Sequence, residues 1–326
     1  MDKTISSNNP DLGLLPNKKP ASMQAKKRRD KIFAYSILAW PLLHFLVFWL
    51  AMNVGTIWLS FNYGNSTVSY FNGLKNYENV LKVLTGQVES GINNHHSLWN
   101  TLSLIPLSLC INLPITLLFS FAIFRKIKGW RAYQIVLFIP AMISATVLCM
   151  SFKIFVDGEG SVLKKFLQSI NLEKVIPPEG WFGNAKTAWP IMLIFSVWTG
   201  ISTNIIYFGS SMSRVSDGVI ESAQLDGASE IRIFAQIVLP MIWPTICTMS
   251  ISIISSCFAW YMPSLLMSPT NANTTSLGLI IVATTKNAGA NIGDAAALGV
   301  LIGIFGTIVI VTLRKLINRF AEEVEY

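Results

Sequence analysis

Long apolar runs separated by short polar connections dominate the chain between about residues 30 and 318. Six runs reach the roughly 20 residues that cross a hydrocarbon core at about 1.5 Å rise per residue. They are about Ile32 to Ser60, Leu98 to Phe124, Ala132 to Val156, Trp189 to Met212, Met241 to Met267 and Ile292 to Leu313. The pattern predicts an all-α membrane protein with six transmembrane helices. Pro41, Pro106, Pro114, Pro140, Pro244 and Pro263 fall inside these runs, where neighbouring helices and water satisfy the carbonyls that a proline frees. One connection has a pattern of its own. Between the fourth and fifth runs the spacing predicts a helix over about Val219 to Asp226, N-capped by Ser216 or Asp217 and ended by Gly227. Ser229 then caps a second helix that runs toward Leu239 and Pro240.

Composition agrees with a membrane chain. Hydrophobic residues make up 52% of it and charged residues 13%, against about a quarter charged in soluble domains, and the mean hydropathy is +0.50. Charge also orients it. Most of the 25 lysines and arginines fall on one side of a six-span arrangement: the amino-terminal segment, the second connection with Arg125, Lys126, Lys128 and Arg131, the polar insert, and the tail. The positive-inside rule then places both termini and the insert in the cytoplasm. The net charge of +8 reflects this bias, so no nucleic-acid partner follows from it. Residues 1–30 read as a flexible basic cytoplasmic tail, 31–318 as a transmembrane domain with a cytoplasmic loop at 213–240, and 319–326 as a second tail. The first run is too long for a signal peptide and lacks a cleavage site, so it reads as a retained anchor. Cys110, Cys149, Cys247 and Cys257 lie in apolar runs and read as small core residues, with no metal site. His95 and His96 read as part of a solvated loop.

The insert contains Glu221-Ser222-Ala223, then Gly227 after three residues, then Ile237-Val238-Leu239-Pro240. This resembles the cytoplasmic "EAA" loop of ATP-binding-cassette importer permeases, with Ser222 where that family has its first alanine. Asp226 and Ala228 also resemble the form frequent in sugar-importer permeases. Gly73-Leu74-Lys75-Asn76-Tyr77, Asn100-Thr101 and Trp198-Thr199-Gly200 look like further motifs of the carbohydrate group. One departure is that Ser268-Pro269-Thr270 stands where Thr-x-Gly-Gly-Pro often follows the fifth span.

The resemblance implies a type I importer permease fold in the bacterial plasma membrane and a role in importing a sugar or oligosaccharide, or another solute. It implies a second homologous permease subunit, two ATPase subunits that bind ATP and magnesium, and an extracytoplasmic solute-binding protein. The chain itself shows no phosphate-binding glycine loop, so it is expected to bind no cofactor and to catalyse no reaction. Glu221, Ser222, Ala223, Asp226, Gly227, Ala228, Leu239 and Pro240 would couple to the ATPase, the small residues leaving the helix thin enough for a partner's groove. Sugar recognition needs aromatic faces and neutral hydrogen-bonding groups. Thr199, Gly200, Thr203, Asn204 and Tyr207 in the fourth span, and Ser256, Trp260, Tyr261 and Ser264 in the fifth, offer that combination. The same aromatics also suit an interfacial belt, and the hydroxyls suit interhelical hydrogen bonds. An ion-coupled transporter would want charged midplane residues, and the spans are nearly free of acidic groups apart from Asp294 near the outer end of the sixth. A membrane enzyme would want acidic or histidine clusters at a membrane face, and none has a convincing spacing.

Overall fold

The computed structural model describes residues 23–64, 68–85, 95–269, 272–287 and 289–321. The expected tails lie outside this set over residues 1–22 and 322–326, as does Thr270. Two compact units are present, residues 1–56 and 57–326.

The first unit holds most of helix α1, which runs over Met23–His44, a π-helical turn at Phe45–Leu50, and Ala51–Ser60. Helix therefore begins inside the stretch expected to be a flexible tail. Its polar side chains bond to the helix's own carbonyls: Ser36 Oγ to Ile32 at 2.8 Å, and Asn53 Nδ2 to Trp49 at 2.7 Å. Hydrocarbon surroundings demand such internal satisfaction.

In the second unit, Asn62–Gly64 (β1) and Ser69–Phe71 (β2) pair antiparallel, with Tyr63 opposite Tyr70. This small hairpin is an addition to the all-α expectation. Lys75–Leu84 (α2) follows, and then α3, formed by His95–Pro106, a π-helical stretch at Leu107–Asn112 and Leu113–Phe124. His95 and His96 open α3 and so do not lie in a loop. Trp130–Met142 (α4), Ala145–Asp157 (α5) and Val162–Ser169 (α6) come next, then Ala188–Met212 (α7). The insert forms Asp217–Leu225 (α8) and α9, which covers Glu230–Ile233, a π-helical stretch at Phe234–Val238 and Leu239–Met241. Trp243–Phe258 (α10), Met262–Met267 (α11), Leu277–Lys286 (α12) and Ile292–Ala321 (α13) complete the order.

Among the described residues, five stretches are long and apolar enough to cross a membrane, and the expected third span is a pair bent by 108° between α4 and α5. Its cause is local. Pro140 removes one backbone donor, and Ser202 of α7 inserts its hydroxyl into the next rung of α4. Ser202 Oγ donates to Leu137 O at 2.6 Å and accepts from Ala141 N at 3.0 Å. A side chain in the i→i−4 ladder is a recognised source of sharp kinks. Ile143 is then extended, and Ser144 caps α5 by accepting from Val147 N at 3.4 Å.

The motif residues near the chain's other connections hold the opposite end of the bundle together. Asn76 Nδ2 donates to Ser60 O and Asn62 O at 2.9 and 2.8 Å, while its Oδ1 accepts from Asn291 at 2.8 Å. The Asn62 carbonyl lies so close to Gly293 that a Cβ there would meet it at 2.0 Å. Asn100 Nδ2 donates to the carbonyls of Asn273 and Thr275, and Thr101 Oγ1 accepts from Leu277 N at 3.0 Å. Each of these buried amides is hydrogen-bonded, as buried polar groups generally are.

Candidate functional site: a neutral cavity and a polar insert

Between α3, α7 and α10 lies a cavity of about 440 Å³. From α7 it takes Thr199, Gly200, Thr203, Asn204 and Tyr207, and from α10 Ser256; Trp260 lies just beyond that helix. Seven of the nine residues expected in a substrate path are thus brought to one space. Tyr261 and Ser264 are not. Ser264 is fully buried, with its hydroxyl on Thr274 O at 2.6 Å, and Tyr261 caps α11 outside the lining.

Polar side chains that the sequence reading missed add to the wall, Ser108 and Asn112 from α3, Ser196 from α7 and Ser252 from α10, and Leu104, Met249, Ile253 and Cys257 complete it. Ser108 and Asn112 sit in the π-helical stretch of α3. Pro106 and Pro114 bracket that stretch, and prolines displace the carbonyls one turn behind them, which a π-turn accommodates. This proline pair is the signal in the sequence that could have found them. Gly200 also has a packing reason. A Cβ there would meet Asn112 Nδ2 at 1.9 Å, so glycine leaves the Asn112 amide its place against α7.

No lining residue carries a formal charge. Several hydroxyls donate to their own helix, as Thr199 to Phe195 O at 3.0 Å and Ser256 to Ile253 O at 2.7 Å, so their lone pairs remain for a solute. The side chains of Asn204 and Tyr207 make no hydrogen bond to the protein among the described residues. Trp260 is fixed by the Trp189 ring edge-on at 5.4 Å and by its carbonyl accepting from Ser276 Oγ at 2.6 Å. The arrangement offers an aromatic face beside a neutral set of donors and acceptors.

The insert is built around a helix stop. Ala228 N donates to Ala223 O and Gly227 N to Gln224 O, both at 3.0 Å, with Gly227 at φ +75°. These two bonds and the left-handed residue form a Schellman motif, in which glycine avoids the penalty a Cβ would carry. Ser229 caps α9 as expected, accepting from Arg232 N at 3.4 Å. Ser216 occupies the cap position of α8 without a side-chain bond, and Asp217 follows in the first turn, where the helix dipole favours it. Ser222 donates to Gly218 O at 2.8 Å, so its hydroxyl is turned onto its own helix and the residue presents a small surface.

Ile220 anchors α8 in a core with Leu117 and Phe121 of α3, Phe208 and Met212 of α7, and Val238 of α9. Helix α8 is thereby packed against α3, α7 and α9. Leu239 and Ala223 pack against the same core, and Pro240 follows the π-helical stretch. Glu221 and Asp226 face outward. So do two large apolar side chains absent from the sequence reading, Leu225 at 89% exposure and Ile231 at 80%. Arg125, at the end of α3, grips Glu230 with Nε at 2.9 Å and Nη2 at 2.8 Å, and Gln224 Nε2 reaches the same carboxylate at 3.3 Å. The Arg125 hydrogen bonds hold the Glu230 carboxyl below its ordinary value and raise the guanidinium in turn.

The family model described as binding-protein-dependent transport system inner membrane component matches residues 90–323. The arabinooligosaccharides transport system permease protein AraP of Bacillus subtilis (strain 168) is 28% identical over 93% of this chain and 96% of its own length. The multiple sugar-binding transport system permease protein MsmF of Streptococcus mutans is 26% identical over 79% of this chain and 86% of its own. The sn-glycerol-3-phosphate transport system permease protein UgpA of Escherichia coli O157:H7 is 25% identical over 45% of this chain and 48% of its own. The fold is shared with a bacterial alginate ABC transporter solved with an alginate pentasaccharide-bound periplasmic protein, at a TM-score of 0.73, 20% identity, and coverage of 92% of this chain and 98% of that one. With a family match across most of a chain of apolar, membrane-length helices, this multi-pass membrane protein belongs to the binding-protein-dependent transport system inner membrane components, as a permease.

Proposed function

We propose that the chain is the permease subunit of an ATP-driven importer for a neutral oligosaccharide. The observation that carries the reading is the uncharged wall of the 440 Å³ cavity, with Trp260 as a stacking face and Asn112, Asn204 and Tyr207 as hydrogen-bonding groups. A sugar phosphate or a uronate would bring a charge into this space with no countercharge, at considerable desolvation cost. Arabinooligosaccharides, carried by the AraP relative, meet no such obstacle.

A second, related permease subunit completes the pathway, and an extracytoplasmic solute-binding protein delivers the sugar. Two ATPase subunits bind ATP with magnesium, whose hydrolysis supplies the driving force. Each grips one insert of the type formed by α8 and α9, with Glu221 at a charged edge and Leu225 and Ile231 as apolar anchors. Exposed apolar side chains this large on a polar loop mark a contact surface. Because Ile220 locks α8 to α3, α7 and α9, displacement of the insert shifts the helices that wall the cavity.

The test is uptake into proteoliposomes holding the assembled importer and its binding protein, with ATP inside. Neutral pentose or hexose oligosaccharides should enter at least tenfold faster than oligouronates or glycerol phosphate. Preference for the anions would overturn the assignment.

A further inference from the structure

A second cleft, of about 580 Å³, opens at the insert end of the bundle between the end of α3, the start of α4 and the end of α7. It shares no lining residue with the neutral cavity. Its chemistry is graded along its length. The deep part is walled by Phe138, Ile205 and Ile206, and the one hydroxyl there, of Ser120, is turned onto Ile205 O at 3.4 Å. At the mouth stand Lys126, Trp130 and Asp217. The step along α4 from Trp130 to Phe138 rises roughly 12 Å, so the gradient runs from charged to apolar over the depth of a lipid headgroup and the first part of its chains.

The connection that borders the mouth, from Arg125 to Arg131, carries four basic residues and no acidic one. Arg125 is matched by Glu230, whereas Lys126 makes no ion pair among the described residues. Lys128 stands close by in sequence, and Arg131 lies at 5.3 Å over the ring of Trp130, itself a mouth residue, so the connection that borders the cleft is basic while the lining itself carries Lys126 and Asp217. Lys126 itself sits at φ +52°, a left-handed backbone that a lysine rarely adopts and that its surroundings must hold. A sugar would want polar partners along its whole length, and a packed helix would want a mouth without free charge. Basic groups at the end of a membrane helix attract anionic lipid.

We infer that this cleft binds a phospholipid with an anionic, hydroxylated headgroup of the phosphatidylglycerol type, in the leaflet on the side of the insert. Lys126 meets the phosphodiester, Asp217 accepts from a headgroup hydroxyl, and one acyl chain lies against Phe138 and Ile206. Since Asp217 is the first residue of α8, the lipid braces the insert at its root.

Native mass spectrometry of the full-length chain, purified with its accompanying subunits from membranes supplemented with phosphatidylglycerol or phosphatidylcholine, tests this. Retained phosphatidylglycerol should fall at least fivefold in Lys126→Gln and also in Gly209→Leu, while Lys165→Gln on α6 leaves it unchanged. The added leucine has room, since a Cβ at Gly209 meets nothing within 4 Å, and it fills the cleft; this variant decides if Lys126→Gln fails to assemble. Equal retention of both lipids, or retention unaffected by the two cleft variants, overturns the assignment. Displacement by soluble glycerol phosphate alone would make it a free-phosphate site, and a crosslink from Ser210→Cys to another subunit would make it a protein interface; either outcome refutes the lipid.

Discussion

Trp260 and Tyr261 are adjacent and chemically alike, yet only the first belongs to the cavity. Helix α10 ends just before them, and Tyr261 at φ −143° and ψ −27° turns the chain into α11. Neighbouring side chains therefore diverge, which no count of aromatics along a span reveals. Trp260→Ala should raise the half-saturation concentration for uptake by about tenfold, roughly the 1–3 kcal/mol of a lost aromatic contact. Tyr261→Ala should leave it within about twofold. Equal effects on radiolabelled uptake would remove the distinction. Ser222 is the converse case of two unlike residues that act alike: with its hydroxyl on Gly218 O, it fills the place of an alanine with little added surface.

The elements around the insert are joined by the Arg125 and Glu230 pair, a planar two-point grip between the end of α3 and the start of α9. A bidentate arginine fixes orientation as well as distance. Glu230→Arg should uncouple hydrolysis from uptake, and Arg125→Glu combined with it should restore coupling at least in part. A double variant no better than the single would show that the pair does not set the angle. The pair also has a pH limb. Glu230 titrates below its ordinary value in the folded chain, so its contribution is complete above that value and is lost as pH falls through the lowered one. Element positions were largely legible, since apolar length located α3 and α7 to within a few residues and α13 at its start, although that helix runs on to Ala321. Helix α12, at ten residues, is too short to cross and was hidden among apolar neighbours. The cavity residues of α3 were hidden for another reason: a π-turn rotates the face that a regular 3.6-residue period would assign. Within the insert, the stop at Gly227 was readable because one residue type satisfies the backbone there, whereas the exposure of Leu225 and Ile231 is a property of the assembled surface.

At the scale of the whole molecule, the core at the insert, centred on Ile220 and Phe208, is distinct from the one around Met192 and Cys149 and from the one around Val80 and Leu298. The neutral cavity is walled by α3, α7 and α10, and all three also reach the core at the insert. Reporter fusions at the two ends of the chain should label from the same membrane face, which the lysine and arginine distribution calls for; labelling from opposite faces would refute a six-span reading. That outcome hangs on the bent pair of α4 and α5, which counts as one crossing or none. An even number of crossings returns the chain to the side on which it began, and an odd number strands its two ends on different sides. The Ser202 hydroxyl in the rung between Leu137 and Ala141 thus bears on parity: by turning one rod into two short ones, it makes a helix-length tally and a hydropathy tally of the same chain disagree about where the protein ends.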